Sequence, residues 1–223
     1  MSHQHTHSEE HAPHGHHTPQ TRGRTMAGAA RWYDLRVFWL TLGGEKRLRR
    51  RFLALADLKP GEQVLDVGCG TGTSALMAEK FVQPGGAVVG IDATPEMIEV
   101  AQKKAAKQKA PVRFEVGLIE AIPADDGTFD VAMNSLVMHH LPLEEQAQGV
   151  VEMLRVLKPG GRLLIVDYIP GSGGIVDRVH GTHHLKVEPD WVVHNLVAGH
   201  GYVNVEMGTI RGGMRYVRAN KPR

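Results

Sequence analysis

The chain is short of cysteine, of net charge and of long apolar runs. A single cysteine, Cys69, rules out an internal disulfide and suits a reducing compartment. Lys and Arg total 26 against 24 Asp and Glu, so no overall field of one sign points to a polyionic partner. No stretch approaches the roughly 20 apolar residues that span a bilayer. The polar, His-rich N-terminus lacks the apolar centre of a signal peptide. The expectation is a soluble, cytoplasmic protein. With 223 residues, 42% of them hydrophobic, the chain can build one domain with a sizeable core.

Residues 1–30 stand apart. They hold seven of the 14 histidines, several prolines and glycines, and almost nothing apolar. Such a segment cannot bury enough surface to offset its chain entropy, so a disordered tail is expected. From Arg31 the pattern changes. Trp32, Leu35, Trp39 and Leu42 recur at helical spacing, and Gly43-Gly44 interrupts. A second helix follows with Leu48, Phe52 and Leu55 on one face, and Pro60-Gly61 closes the unit. Then strands and helices alternate. Strands are predicted at 64–68, 87–92, 112–117, 129–135 and 162–168. Helices are predicted over TSALMAEKFV, over PEMIEVAQKKAAKQK with Pro95 in its first turn, and over LEEQAQGVVEMLRVL, which Lys158-Pro159-Gly160-Gly161 stops. Apolar strands alternating with helices imply a parallel sheet covered on both faces. The tail departs from this. After a helix near Pro189–Gly199, VNVEMGTI and MRYVRAN flank Arg211-Gly212-Gly213, the mark of an antiparallel edge pair.

The stretch VLDVGCGTG (64–72) runs a strand into Gly68, Gly70 and Gly72, with Asp66 just ahead. A strand–glycine turn–helix unit brings backbone N–H groups close to a ligand. Asp92, 20 residues after Gly72 at the end of the next strand, suits ribose hydroxyls. The spacing is G-x-G-x-G rather than the dinucleotide G-x-G-x-x-G, and no Gly-Lys-Ser/Thr follows, which excludes a P-loop. Asp66 would repel a pyrophosphate and favours a cationic ligand, with an ammonium or sulfonium group.

VLDVGCGTG, GIDATPEMIEVAQKKA, FDVAMNSLVMHHLP and RVLKPGGRLLIVDY, in that order, resemble the class I S-adenosylmethionine-dependent methyltransferases. The nearest likeness is to the ubiquinone/menaquinone-biosynthesis branch, over residues 31–219. The resemblance implies a Rossmann-like α/β fold whose seven-stranded sheet ends in an antiparallel pair, with helices on both faces. Its implied organisation is a tail (1–30) and one domain (31–223). The domain would comprise a helical lid (31–60), a cofactor core (61–168) and a substrate-side loop, helix and hairpin (169–223). The implied activity is methyl transfer to an O, N or C atom of a small molecule, with no nucleic acid and no integral membrane contact; a homodimer is compatible with it. Asp66 and the loop of Gly68, Cys69 and Gly70 would hold the methionine part of the cofactor, Asp92 the ribose, and Ala93 or Met97 the adenine. Asn134 would lie near the reaction centre. The family's Gly-Asp-Ala-Glu reads Gly117-Leu118-Ile119-Glu120 here, and Leu118 cannot accept the adenine amino group. Ile119 would then contact the ring through its N–H, and Glu120 would substitute only if the loop shifts.

Other residues keep two readings each. His139 and His140 suit a general base or a packed pair, and His139 is the first choice for the base. Tyr33 is a core aromatic or a residue of a lid over the cofactor. Asp167 and Tyr168 face substrate or merely end a strand. His180, His183 and His184 line substrate rather than bind metal, since no further ligands accompany them. Lys46–Arg51 is a solvated helix face or an anion-binding surface. The tail histidines suit weak divalent metal binding. Two rival functions remain at this level, an NAD-dependent oxidoreductase and a non-enzymatic metal-handling protein.

Overall fold

The computed structural model describes residues 44–168, 192–210 and 214–223. Helix α1 (Glu45–Ala56) leads into β1 (Gln63–Val67), α2 (Thr73–Val82), β2 (Ala87–Asp92), α3 (Pro95–Gln108), β3 (Val112–Val116) and β4 (Phe129–Ser135). A 3-10 turn (Met138–His140) precedes α4 (Leu143–Val156), β5 (Leu157–Tyr168), α5 (Val192–Gly199), β6 (Val203–Ile210) and β7 (Met214–Asn220). The seven strands form one sheet in the order β3-β2-β1-β4-β5-β7-β6. The first five strands run parallel, whereas β7 pairs antiparallel with both β5 and β6. The predicted Rossmann-like architecture and its antiparallel pair are therefore present.

The two-residue period of each strand divides the core. Val64, Val131, Met133 and Leu164 face one side with Phe52 and Leu53 of α1, Ala75 of α2 and Ile98 of α3. Leu65, Val67, Ala132 and Leu163 face the other, against Val150 and Met153 of α4 and Val197 of α5. Because β1 is flanked by β2 and β4, the direction of winding reverses at its carboxyl end, where open α/β sheets hold their ligands.

Several boundaries differ from expectation. Gly68 and Gly117 lie outside their predicted strands, which end at Val67 and Val116. Gly68 has already turned to φ 70° and starts the loop. Lys158-Pro159-Gly160-Gly161 ends α4 as expected, yet it is part of β5 itself. The pairing slips from Phe129↔Leu157 to Val131↔Arg162, so the extra residues bulge while the ladder continues. In α1 the deepest residues are Phe52, Leu53 and Ala56, with Leu48 and Leu55 only partly buried. The predicted helix at 31–42, Tyr33, the His-rich tail, His180, His183, His184 and the turn at 211–213 lie outside the described residues.

Candidate active site

The loop after β1 is shaped by its own backbone bonding. The amides of Gly68 and Cys69 both donate to the carbonyl of Ile91 on β2, at 2.8 and 2.9 Å. Gly70 N–H donates to Asp92 Oδ2 at 2.9 Å, and Gly72 N–H to Cys69 O at 2.9 Å. Four loop amides are thus used within the protein. These four donors brace the loop. An amide cradle serves phosphate. Here four of the loop amides are bonded within the protein, and two carboxylates stand beside the loop.

The three glycines also divide their tasks. All have positive φ, the left-handed region that side chains resist. A Cβ on Gly68 would lie 2.5 Å from Val137, and one on Gly72 would lie 2.5 Å from the ring of Phe114. Both glycines therefore admit protein neighbours. A Cβ on Gly70 would meet nothing within 4 Å, so Gly70 is the one that opens onto free space. Cys69 is buried in the core, where Sγ would lie 3.0 Å from a Cβ on Gly90. Burial pushes its thiol pKa up, so Cys69 serves the loop through its backbone and small size.

Asp66 is 1% exposed, and its Oδ2 has no hydrogen-bond partner among the described residues. Burial pushes its carboxyl up to about 7; the Arg49 guanidinium opposes this, while Asp92 adds to it. An orphaned carboxylate oxygen at the mouth of a parallel sheet is an acceptor awaiting a cation or donor. Asp92 is half-buried, and its pKa is likewise raised, chiefly by burial. Its oxygens accept from Gly70 N–H and from Thr94 N–H, both at 2.9 Å, and the Thr94 side chain also bonds to it. Asn134, fully buried, ties its amide to the Val67 carbonyl at 2.9 Å and leaves Oδ1 without a partner. It clamps β4 to β1, directly beside the loop. Ala93 is half-buried after β2, and Met97 is buried at the start of α3. Ile119 packs its side chain where a Cβ on Gly149 would sit, holding the loop after β3 against α4. Glu120 presents a buried Oε2 with no partner among the described residues. Leu118 is half-buried and pairs through its backbone with Ala121.

The second cluster forms at the ends of β4 and β5. Leu136, at φ 63°, turns the chain off β4 and brings Met138–His140 over the end of β5. His139 Nδ1 lies 2.6 Å from Asp167 Oδ1, and the His139 amide donates to Asp167 Oδ2 at 3.0 Å. The Tyr168 amide also donates to Asp167 Oδ1, at 2.8 Å. The two side chains are 3% and 1% exposed. Tyr168 packs edge-on to the imidazole at 4.4 Å between centroids, and His140 lies 3.9 Å away. Tyr168 is 2% exposed and packs in the core beside the imidazole. Asp167, also buried, acts on His139.

Two residues were overlooked in the sequence. Arg49 belongs to the basic run Lys46–Arg51, yet its guanidinium donates to Glu45 and to Ser74 Oγ, both at 2.7 Å, and its charge acts on Asp66. Lys104 donates to Thr73 Oγ1 at 2.8 Å and to Thr71 Oγ1 at 3.3 Å, pinning the loop to α3. The Glu45/Arg49 spacing of four was a visible signal for a paired arginine. Nothing local marks Lys104. Among the described residues no group of three or more His, Cys, Asp or Glu side chains is placed to hold a metal.

Comparison with known proteins agrees with this geometry. A family profile described as a methyltransferase domain matches residues 64–161. A demethylmenaquinone methyltransferase of Thermus thermophilus is 38% identical over 157 residues, covering 70% of each chain. A ubiquinone/menaquinone biosynthesis C-methyltransferase UbiE of Geobacter sp. strain M21 is 36% identical over 171 residues, covering 75% of this chain and 72% of its own. The crystal structure of a SAM-dependent methyltransferase from Aquifex aeolicus superposes with a TM-score of 0.60 at 26% identity, covering 77% of this chain and 88% of that one. None of these relatives supports the oxidoreductase or metal-handling readings. The chain belongs to the class I S-adenosylmethionine-dependent methyltransferases of the ubiquinone/menaquinone-biosynthesis type.

Proposed function

We propose that the enzyme methylates a small acceptor that must lose a proton, a phenol-like or quinol-like ring being the best fit. The observation that carries this is the His139–Asp167 pair at 2.6 Å, buried at the carboxyl ends of β4 and β5. One relative is a demethylmenaquinone methyltransferase, whose named acceptor carries the same kind of ring. When bound, S-adenosylmethionine supplies a methyl group on a sulfonium, already electrophilic. Asp66 and Asp92 face its positive charge and hydroxyls, Gly70 leaves room for it, and Asn134 keeps β1 and β4 in register beside it. What remains for the protein is to align the acceptor, exclude water and accept a proton. Asp167 holds the imidazole by Nδ1, so Nε2 is the position that takes the acceptor proton. Tyr168 and His140 fix the ring plane.

Tyr33 is proposed as part of a lid formed by residues 31–60, and residues 169–191 as the substrate-side wall. No helix among the described residues is long and apolar enough to cross a membrane, and we place the enzyme in the cytoplasm. A homodimer remains part of the proposal.

The test is turnover on a panel of quinols and phenols. His139→Ala should lower kcat about 10²-fold or more while cofactor affinity, measured by calorimetry, barely changes. Asp167→Asn should fall in between, because the imidazole loses its charged support. Turnover of His139→Ala within a few-fold of the parent would eliminate His139 as the base and leave alignment alone.

A further inference from the structure

Between α1, α2 and α3, behind the glycine loop, runs an open groove of ≈ 540 Å³. Its rim carries Lys46 and Arg50 from α1, Lys80 from α2 and Lys104 from α3. Its floor is apolar, made by Leu76, Met77 and Phe81, and Phe81 is 47% exposed. The single lining carboxylate, Glu45, already accepts from Arg49 at 2.7 Å. Arg47 and Arg51 are exposed on the same helix α1. Lys104 is already bonded to Thr71 and Thr73, so Lys46, Arg50 and Lys80 are the rim cations that face outward, and with one engaged anion they make a lopsided surface on a chain whose formal charge is only +2.

We propose that this groove docks the enzyme on a bilayer that contains anionic phospholipid. The charges complement phosphate headgroups, and the long Lys and Arg stems can reach past the apolar floor to them. Phe81 and Met77 supply the shallow apolar insertion that a surface-bound helix pair needs. A nucleic acid fits less well. The cations ring one concave mouth instead of following a strand, and among the described lining residues Phe81 is the only ring available for stacking. A second copy of the chain would bring like charges together. Thr73, which opens α2 directly after the glycine loop, also lines the groove. Docking here would set the cofactor loop close to the headgroups.

The experiment is cosedimentation of the full-length protein with vesicles of phosphatidylcholine alone or with roughly one-third phosphatidylglycerol. Binding is expected only to the anionic vesicles, and should disappear at about 0.5 M salt. An Arg50→Gln/Lys80→Gln variant should bind about 25-fold more weakly, at about fivefold for each cation. Phe81→Ser should also bind more weakly, with its charge unchanged. Unaltered calorimetric binding of S-adenosylmethionine establishes that both variants are folded, and the proposed acceptor class plays no part in the readout. Equal binding to neutral vesicles, undiminished binding of the double variant, or displacement from vesicles by a short single-stranded RNA would each overturn the proposal.

Discussion

Replacing Asp66 by Asn should stabilise the ligand-free protein while destroying its cofactor site. The carboxyl is 1% exposed and stands at about 7 in the fold, against an ordinary 3.8. At about 1.4 kcal/mol for each tenfold change in proton affinity, that difference amounts to roughly 4 kcal/mol. The sign follows from linkage. Between pH 4 and 7 the folded chain keeps a proton that the unfolded chain has released, so this group's contribution to stability falls as pH rises and levels off above 7. Above pH 7 the folded protein carries an ionised, buried carboxylate whose Oδ2 has no hydrogen-bond partner among the described residues. Asn keeps the shape and removes the charge. If half the effect survives relaxation, the variant gains about 2 kcal/mol at pH 8, a rise in Tm of about 4–8 °C for a chain of this size. At pH 5 the gain should shrink to about 0.8 kcal/mol, because the unfolded carboxyl has released its proton while the folded one keeps it, and it should vanish only below about pH 4. The cofactor sees the reverse. Its cationic part requires the ionised form, so parental affinity should climb with pH to about 7 and then level, with proton release below 7. The Asn variant should lose about 10²-fold in affinity and all of that pH dependence. Thermal scans from pH 5 to 8.5 and calorimetry in two buffers of different ionisation enthalpy read both halves. An Asn variant less stable than the parent at pH 8, or one that binds cofactor within threefold, would refute the reasoning.

The two glycine variants should separate packing from binding. Gly72→Ala drives a methyl into the Phe114 ring and should cost about 1–3 kcal/mol in denaturant melts, whereas Gly70→Ala bears mainly the left-handed strain, about 1–2 kcal/mol, and should chiefly lose calorimetric cofactor affinity. Asp92→Ala removes the acceptor for Gly70 and Thr94 and should weaken cofactor binding by about 2–4 kcal/mol; unchanged calorimetry would reject its ribose role. Deleting residues 1–25 should abolish weak Ni²⁺ or Zn²⁺ binding, measured by equilibrium dialysis, and leave cofactor affinity intact. A loss of cofactor affinity on deletion would mean that the tail belongs to the fold.

By itself the sequence determined the fold class and the strand–helix alternation, and it marked candidate positions for the cofactor site. These are local signals. Apolar runs such as AVVGID declare buried parallel strands, Pro95 marks a helix start, and glycines beside Asp66 mark a loop that must bend and admit a ligand. The antiparallel end was equally legible, because VNVEMGTI and MRYVRAN flank a glycine turn. Tertiary structure decided what those residues do. Only the register of β1 against β2 shows that the loop amides are spent on Ile91 and Asp92, and only the approach of Val137 and Phe114 separates Gly68 and Gly72 from Gly70. His139 and Asp167 are 28 positions apart, and Arg49 and Ser74 are 25 apart. No periodicity connects such pairs, since parallel strands meet through helical crossovers and their ends converge only once the sheet has formed. The shift of Asp66 to about 7 has the same origin: burial and the charges of Arg49 and Asp92 act through space, at distances that the order of residues along the chain does not encode.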